Sequence, residues 1–191
     1  MRIIAGTYRS RLLKSLKGDA LRPTSDRLRV TLFDVLGAAV EGSRFLDVFA
    51  GTGAVGIEAL SRGAAEAIFI ERHAPAAKLI RSNLESLGIT RGAAILAADA
   101  LTALEKLAAR HAAASTPINF VFVDPPYAAH EECTRTLEFL GSNPATFLAP
   151  DALIIFEHHH KFALPESAGC LTCTRFLKQG DAALSFYRRK G

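Results

Sequence analysis

"RFLDVFAGTGAVG", residues Arg44 to Gly56, is an apolar strand-forming run that breaks into three closely spaced glycines and restarts as a helix. Gly51, Gly53 and Gly56 satisfy G-x-G-x-x-G, a spacing that permits a tight turn and lets a ligand approach the backbone closely. A glycine-rich first turn between strand and helix is shared by nicotinamide, flavin and adenosylmethionine folds, so it does not choose among them. Asp47, four residues before Gly51, leans away from a dinucleotide. A carboxylate there suits a cationic group, such as an amino acid's amine reached directly or through water, better than a pyrophosphate.

Outward from this stretch, strands and helices alternate. "EAIFIE", "AAILAAD", "INFVFVD" and "DALIIFEH" read as strands, and "PAAKLIRSNLESLG", "ALTALEKLAARHAAA" and "HEECTRTLEFLGSN" as helices. Near-continuous apolar strands separated by helices predict a mostly parallel sheet covered on both faces. The tail differs: "CLTCTRFLK", the turn "QGD" and "AALSFYRR" predict an antiparallel hairpin. The short "HHKFALPESAG" link ahead of it leaves little room for a helix. Before the glycine turn, "RPTSDRLRVTLFDVLGAAV" predicts a helix capped by Thr24 or Ser25, with Leu28, Leu32, Val35 and Leu36 on one face. Residues 1–22 form a basic arm or short β-hairpin, and residues 23–191 the main domain.

Four consecutive strands finish near an acid: Asp47, Glu71, Asp99 and Asp124. In open parallel sheets ligands sit beyond the carboxyl ends of the strands. Glu71 can accept from both hydroxyls of a ribose, and Asp99 from an adenine amino group. Capping the helix that follows is the alternative for each, and for Asp99 the two readings are balanced.

The fourth strand ends "VDPPY", Asp124 to Tyr127. A nucleobase amine is a poor nucleophile because its lone pair is delocalised into the ring. Accepting hydrogen bonds from its NH2 group favours a pyramidal nitrogen and aims the lone pair. Asp124 supplies one acceptor and the carbonyl of Pro125 can supply another. Pro125 and Pro126 fix φ and bring no N–H to compete. Tyr127 offers an aromatic face on which an extruded base can stack. Amino methylation is the chemistry this arrangement suits, and the tetrapeptide does not distinguish a guanine N2 from an adenine N6.

At 191 residues, 49% of them hydrophobic, the chain can bury one substantial core. It has no apolar run of the ~20 residues a membrane span needs, and no secretory signal at its start, which predicts a cytoplasmic protein. Between Arg2 and Arg29 eight basic residues stand against two acidic ones, although the whole chain carries only +4. That concentration points to a polyanion, nucleic acid first, over an ordinary solvated surface. Cys133, Cys170 and Cys173 make no disulfide framework. The single C-x-x-C near His158–His160 lacks a second cluster, so no metal site is expected.

Taken together, Asp47 to Gly56 with Asp124 to Tyr127 resembles a class I, Rossmann-like adenosylmethionine-dependent amino-methyltransferase. Arg22-Pro-Thr, Asp26-Arg27, Arg29 and Leu32-Phe33 narrow the resemblance to the bacterial RsmD-type enzymes, which methylate a guanine N2 in 16S rRNA. "RIIAGTYRSRLL" and "FLKQGDAALSFYRR" are similar too, so it covers essentially the whole chain. The resemblance implies S-adenosyl-L-methionine held by Thr24, Asp47, Phe49, Gly51, Gly53, Glu71 and Asp99. It implies a target base held by Asp124, Pro125, Pro126 and Tyr127, and RNA phosphates met by Arg9, Arg11, Arg22, Arg27 and Arg29. The implied partner is 16S rRNA or an assembling small subunit, engaged by a monomer; adenine-N6 methylation of DNA or RNA is the alternative.

Overall fold

A computed structural model of the protein describes residues 1–15, 26–111, 117–126, 129–142 and 147–190. Thr24, Ser25, Arg22, Tyr127 and the expected boundary after residue 22 lie outside the described residues. The chain divides into two compact units, Met1–Asp99 and Ala100–Gly191.

The first unit contains three parallel strands, β1 (Arg44–Val48), β2 (Glu66–Ile70) and β3 (Ala93–Leu96), in the order β3-β2-β1. Beyond their first residues β1 and β2 are buried throughout. Their apolar runs lack a solvent-facing alternation, as in parallel strands whose crossover helices cover both faces. Helices α1 (Asp26–Leu36), α2 (Ala54–Ser61) and α3 (Ala74–Ser86) accompany them. The helix expected to reach Val40 stops at Leu36 and tightens into a 3-10 turn over Gly37–Val40. Gly37 adopts φ 56°, which an α-helix cannot continue through.

The basic arm is stitched to this unit by its backbone. Residues 1–13 fold back in an irregular hairpin with one bridge, Arg2 to Leu12, and Ile3 and Leu13 join the core beside Ala50, Ile57 and Phe69. Thr7 N–H donates to the Ser61 carbonyl at 2.7 Å and Lys14 N–H to Asn83 Oδ1 at 2.9 Å. Gly6, at φ 82°, passes so close to α2 that a Cβ would lie 1.7 Å from the Ser61 carbonyl oxygen.

In the second unit β4 (Ile118–Val123) pairs in parallel with β5 (Leu148–His159), and α4 (Ala100–His111) and α5 (His130–Ser142) accompany them. The tail forms the expected antiparallel hairpin, β7 (Leu171–Gln179) with β8 (Ala182–Arg189), and Gly180 turns at φ 63°. The sheet order is β4-β5-β8-β7-β6. The last strand thus lies inside, because Ala183, Leu184, Phe186 and Tyr187 are its most apolar run and are buried. A two-residue strand, β6 (Ser167–Ala168), pairs with β7, and no helix occurs between β5 and β7. Among the described residues no helix is long and apolar enough to cross a membrane.

Candidate active site

The glycine turn forms where β1 hands over to α2. Gly51 and Gly53 adopt φ 55° and 76°, and Phe49, a bulky residue, is held at φ 63°. Left-handed backbone costs a side-chain-bearing residue roughly 1–2 kcal/mol, and such strain concentrates at ligand-binding turns. At Gly53 a Cβ would press within 3.1 Å of Ile80, and at Gly56 it would fall 2.4 Å from the Phe69 ring. The turn therefore lies close to α3 and β2.

Two of the expected cofactor carboxylates also hold this turn in shape. Asp47, 2% exposed, accepts from Gly56 N–H at 2.9 Å and so satisfies a donor in the first turn of α2. Glu71 accepts from Gly51 N–H at 2.8 Å and from His73 N–H at 2.7 Å, one on each oxygen. A carboxylate has about four acceptor sites, so these bonds leave Glu71 able to accept more. Asp99 immediately precedes α4, its side chain half exposed and 3.9 Å from Arg72.

The arm arginines separate into two kinds. Arg9, Arg11 and Arg27 are exposed, and Arg11 also donates to the Ser86 carbonyl at 3.2 Å. Arg29 is a correction: expected to meet RNA phosphate, it is fully buried. Its guanidinium donates to Asp26 at 2.6 Å and to the Arg2 carbonyl at 2.8 Å, and stands 3.8 Å from the buried Glu58. The same Glu58 carboxylate accepts from Ile4 and Ala5 N–H at 2.8 and 3.0 Å, and from Arg62 at 2.8 Å. Arg29 thus belongs to the joint that holds the arm to α1 and α2.

In the second unit β4 delivers Asp124 half-buried and Pro125 buried at its carboxyl end, and Pro126 exposed. The Pro126 carbonyl accepts from Ala129 N–H at 2.7 Å, leading into α5. Beside the prolines is a shallow, open depression lined by Pro125, Pro126, His130, Cys133, Glu157 and Phe162. Its apolar wall includes the His130 and Phe162 rings, 4.1 Å apart. The Cys133 thiol is pushed up to about 12, first by burial and then by the negative charge of Asp124, so it stays protonated. His158 bonds Ser185 Oγ at 2.8 Å, and burial lowers its basicity. Sequence reasoning missed Glu157; the available signal was an acid inside the apolar run "LIIFEHH".

Cys170 and Cys173 do not converge with the histidines: Cys173 lies in β7 and Cys170 in the turn before it. His159, His160 and Asp181 bring potential ligand atoms within 4.8 Å of one another. However, Lys161 N–H donates to His159 Nδ1 at 3.1 Å. Ligation through Nδ1 would break that bond.

Parallel strands, the strained glycine turn and an antiparallel tail define a class I, Rossmann-like methyltransferase fold. A solved structure described as putative methyltransferase yhhF from Escherichia coli shares it, with TM-score 0.83 and 34% identity over 100% of this chain and 98% of that one. The family model described as Conserved hypothetical protein 95 matches residues 1–188, and the chain belongs to that family, the RsmD-type methyltransferases. It is 37% identical to the putative rRNA methyltransferase YlbH of Bacillus subtilis, over all of both chains. It is 36% identical to ribosomal RNA small subunit methyltransferase D of Escherichia coli, over 100% of this chain and 90% of that protein.

Proposed function

We propose that the protein transfers a methyl group from S-adenosyl-L-methionine to the exocyclic N2 amine of a guanine in 16S rRNA. The observation that carries the reading is Asp124-Pro125-Pro126 at the tip of β4 in a chain that belongs, over nearly its whole length, to a methyltransferase family. The relatives' action on ribosomal RNA supports RNA over DNA.

Bound S-adenosylmethionine supplies an electrophilic sulfonium methyl. Gly51 and Gly53 would let it approach the backbone beside Phe49, and Thr24 would meet its carboxylate. Asp47 would meet its cationic amine, directly or through water, while keeping the turn folded. Glu71 uses its remaining lone pairs for the ribose, and Asp99 accepts from the adenine. Asp124 and the Pro125 carbonyl accept the two N–H bonds of the target amine, which localises the nitrogen lone pair, and Tyr127 stacks on the base. Asp124 would also take the proton that the amine gives up as the methyl passes from sulfur to nitrogen. Orientation and charge stabilisation at nitrogen carry the rate.

Exposed Arg9, Arg11 and Arg27, with Arg22, meet phosphate. Replacing Arg9 and Arg11 by alanine weakens RNA binding and lowers the slope of log affinity against log salt by about 1.5, with no loss of fold. Affinity titrations at several salt concentrations check this, and an unchanged slope assigns the two arginines to the surface alone.

Deleting the gene tests the activity. One N2-methylguanosine disappears from 16S rRNA mapped by mass spectrometry, and a plasmid copy restores it. Disappearance of an N6-methyladenosine instead replaces this reading with the adenine one.

A further inference from the structure

We propose that Glu157 reads the identity of the target base, accepting the ring N1–H of guanine beside the amine that Asp124 accepts. The inference rests on the amino-methylation reading above and adds to it the residue that selects the base.

Strand register carries the argument. β4 and β5 run parallel with Phe122 opposite Ile155 and Val123 opposite Phe156. Asp124 and Glu157 each follow by one residue the last pair of that ladder, so the register brings two carboxylate residues to the same end of neighbouring strands. Glu157 is only 5% exposed, yet it borders the depression that also contains Pro125, Pro126 and Phe162. β8 continues the sheet on the far side, with Leu184 opposite Glu157, so the backbone at this position is fixed by pairing.

Base chemistry then decides what the pair can recognise. The Watson–Crick edge of guanine presents N1–H and the N2 amine next to each other, donors throughout. Adenine and cytosine present an amine beside an unprotonated ring nitrogen, so a carboxylate at the second position meets a lone pair. Two adjacent acceptors therefore favour guanine, and sites that hydrogen-bond a donor reject analogues lacking it.

The test places guanine or 2-aminopurine at the target position of otherwise identical small-subunit RNA. 2-Aminopurine keeps the N2 amine and lacks the N1 hydrogen. The wild-type protein should prefer guanine by about 10- to 100-fold in kcat/KM. In Glu157→Gln the amide can donate to the bare N1, and the preference falls to near unity or inverts. An unchanged preference in Glu157→Gln overturns the inference. If that variant turns over neither RNA, the ratio of its affinities for the two RNAs decides in the same way: collapsed supports, retained overturns. Failure of the wild-type protein to methylate guanine at all would instead strike the underlying reading.

Discussion

Asp124→Ala lowers the rate of methyl transfer by about a thousandfold while the affinity for S-adenosylmethionine stays within a few-fold of wild type. The factor corresponds to roughly 4 kcal/mol at about 1.4 kcal/mol per tenfold. Two contributions are lost together: the acceptor that localises the lone pair of the amine, and the group that receives the proton. Asp124→Asn separates them, because the amide oxygen still accepts while the charge is gone. It should lose about 10- to 100-fold. Single-turnover rates, with RNA affinity measured alongside, check both variants. An alanine variant that loses RNA binding in proportion to rate would make Asp124 a binding residue only.

The second large effect is on stability. Glu58→Ala destabilises the fold by about 3–5 kcal/mol. Glu58 and Arg29 are both fully buried, and the carboxylate accepts from Ile4, Ala5 and Arg62 as well as facing Arg29. Alanine takes from the buried guanidinium one of its two carboxylate neighbours, leaving Asp26, and leaves two backbone donors of the arm without acceptors. Thermal unfolding should fall on the order of 10 °C. Glu58→Gln, which keeps one acceptor oxygen and the side-chain volume, should lose less. A melting temperature within a degree or two of wild type for the alanine variant would show that Ile3, Leu13 and the arm's bonds to Ser61 and Asn83 hold it without Glu58.

The two variants probe parts of the molecule that differ in how well the sequence reveals them. The glycine turn and the strand-ending acids are legible because spacing alone constrains them: three glycines between a strand and a helix have few other uses. Arg29 and Glu58 were not legible as partners. Arg29 sits in the amphipathic α1, where a charged residue ordinarily faces water, and Glu58 is a lone charge in α2, which is buried on nearly every side. Arg29 is also one position from Leu28 and four from Phe33, so it shares the buried stripe of α1. Asp47 and Glu71 were read as facing a ligand; their bonds to Gly56 and Gly51 N–H depend on how the turn folds back over β1 and β2. Glu157 acquires its meaning only from the β4–β5 register, which no local pattern supplies.

The most direct test uses the purified protein, small-subunit RNA lacking its methyl groups, free or assembled with its proteins, and methyl-labelled S-adenosylmethionine. Digestion to nucleosides and mass spectrometry then identify the product. Label in N2-methylguanosine, absent when Asp124 is alanine, is the predicted result. Label in N6-methyladenosine, or equal label with the Asp124→Ala protein, would contradict it.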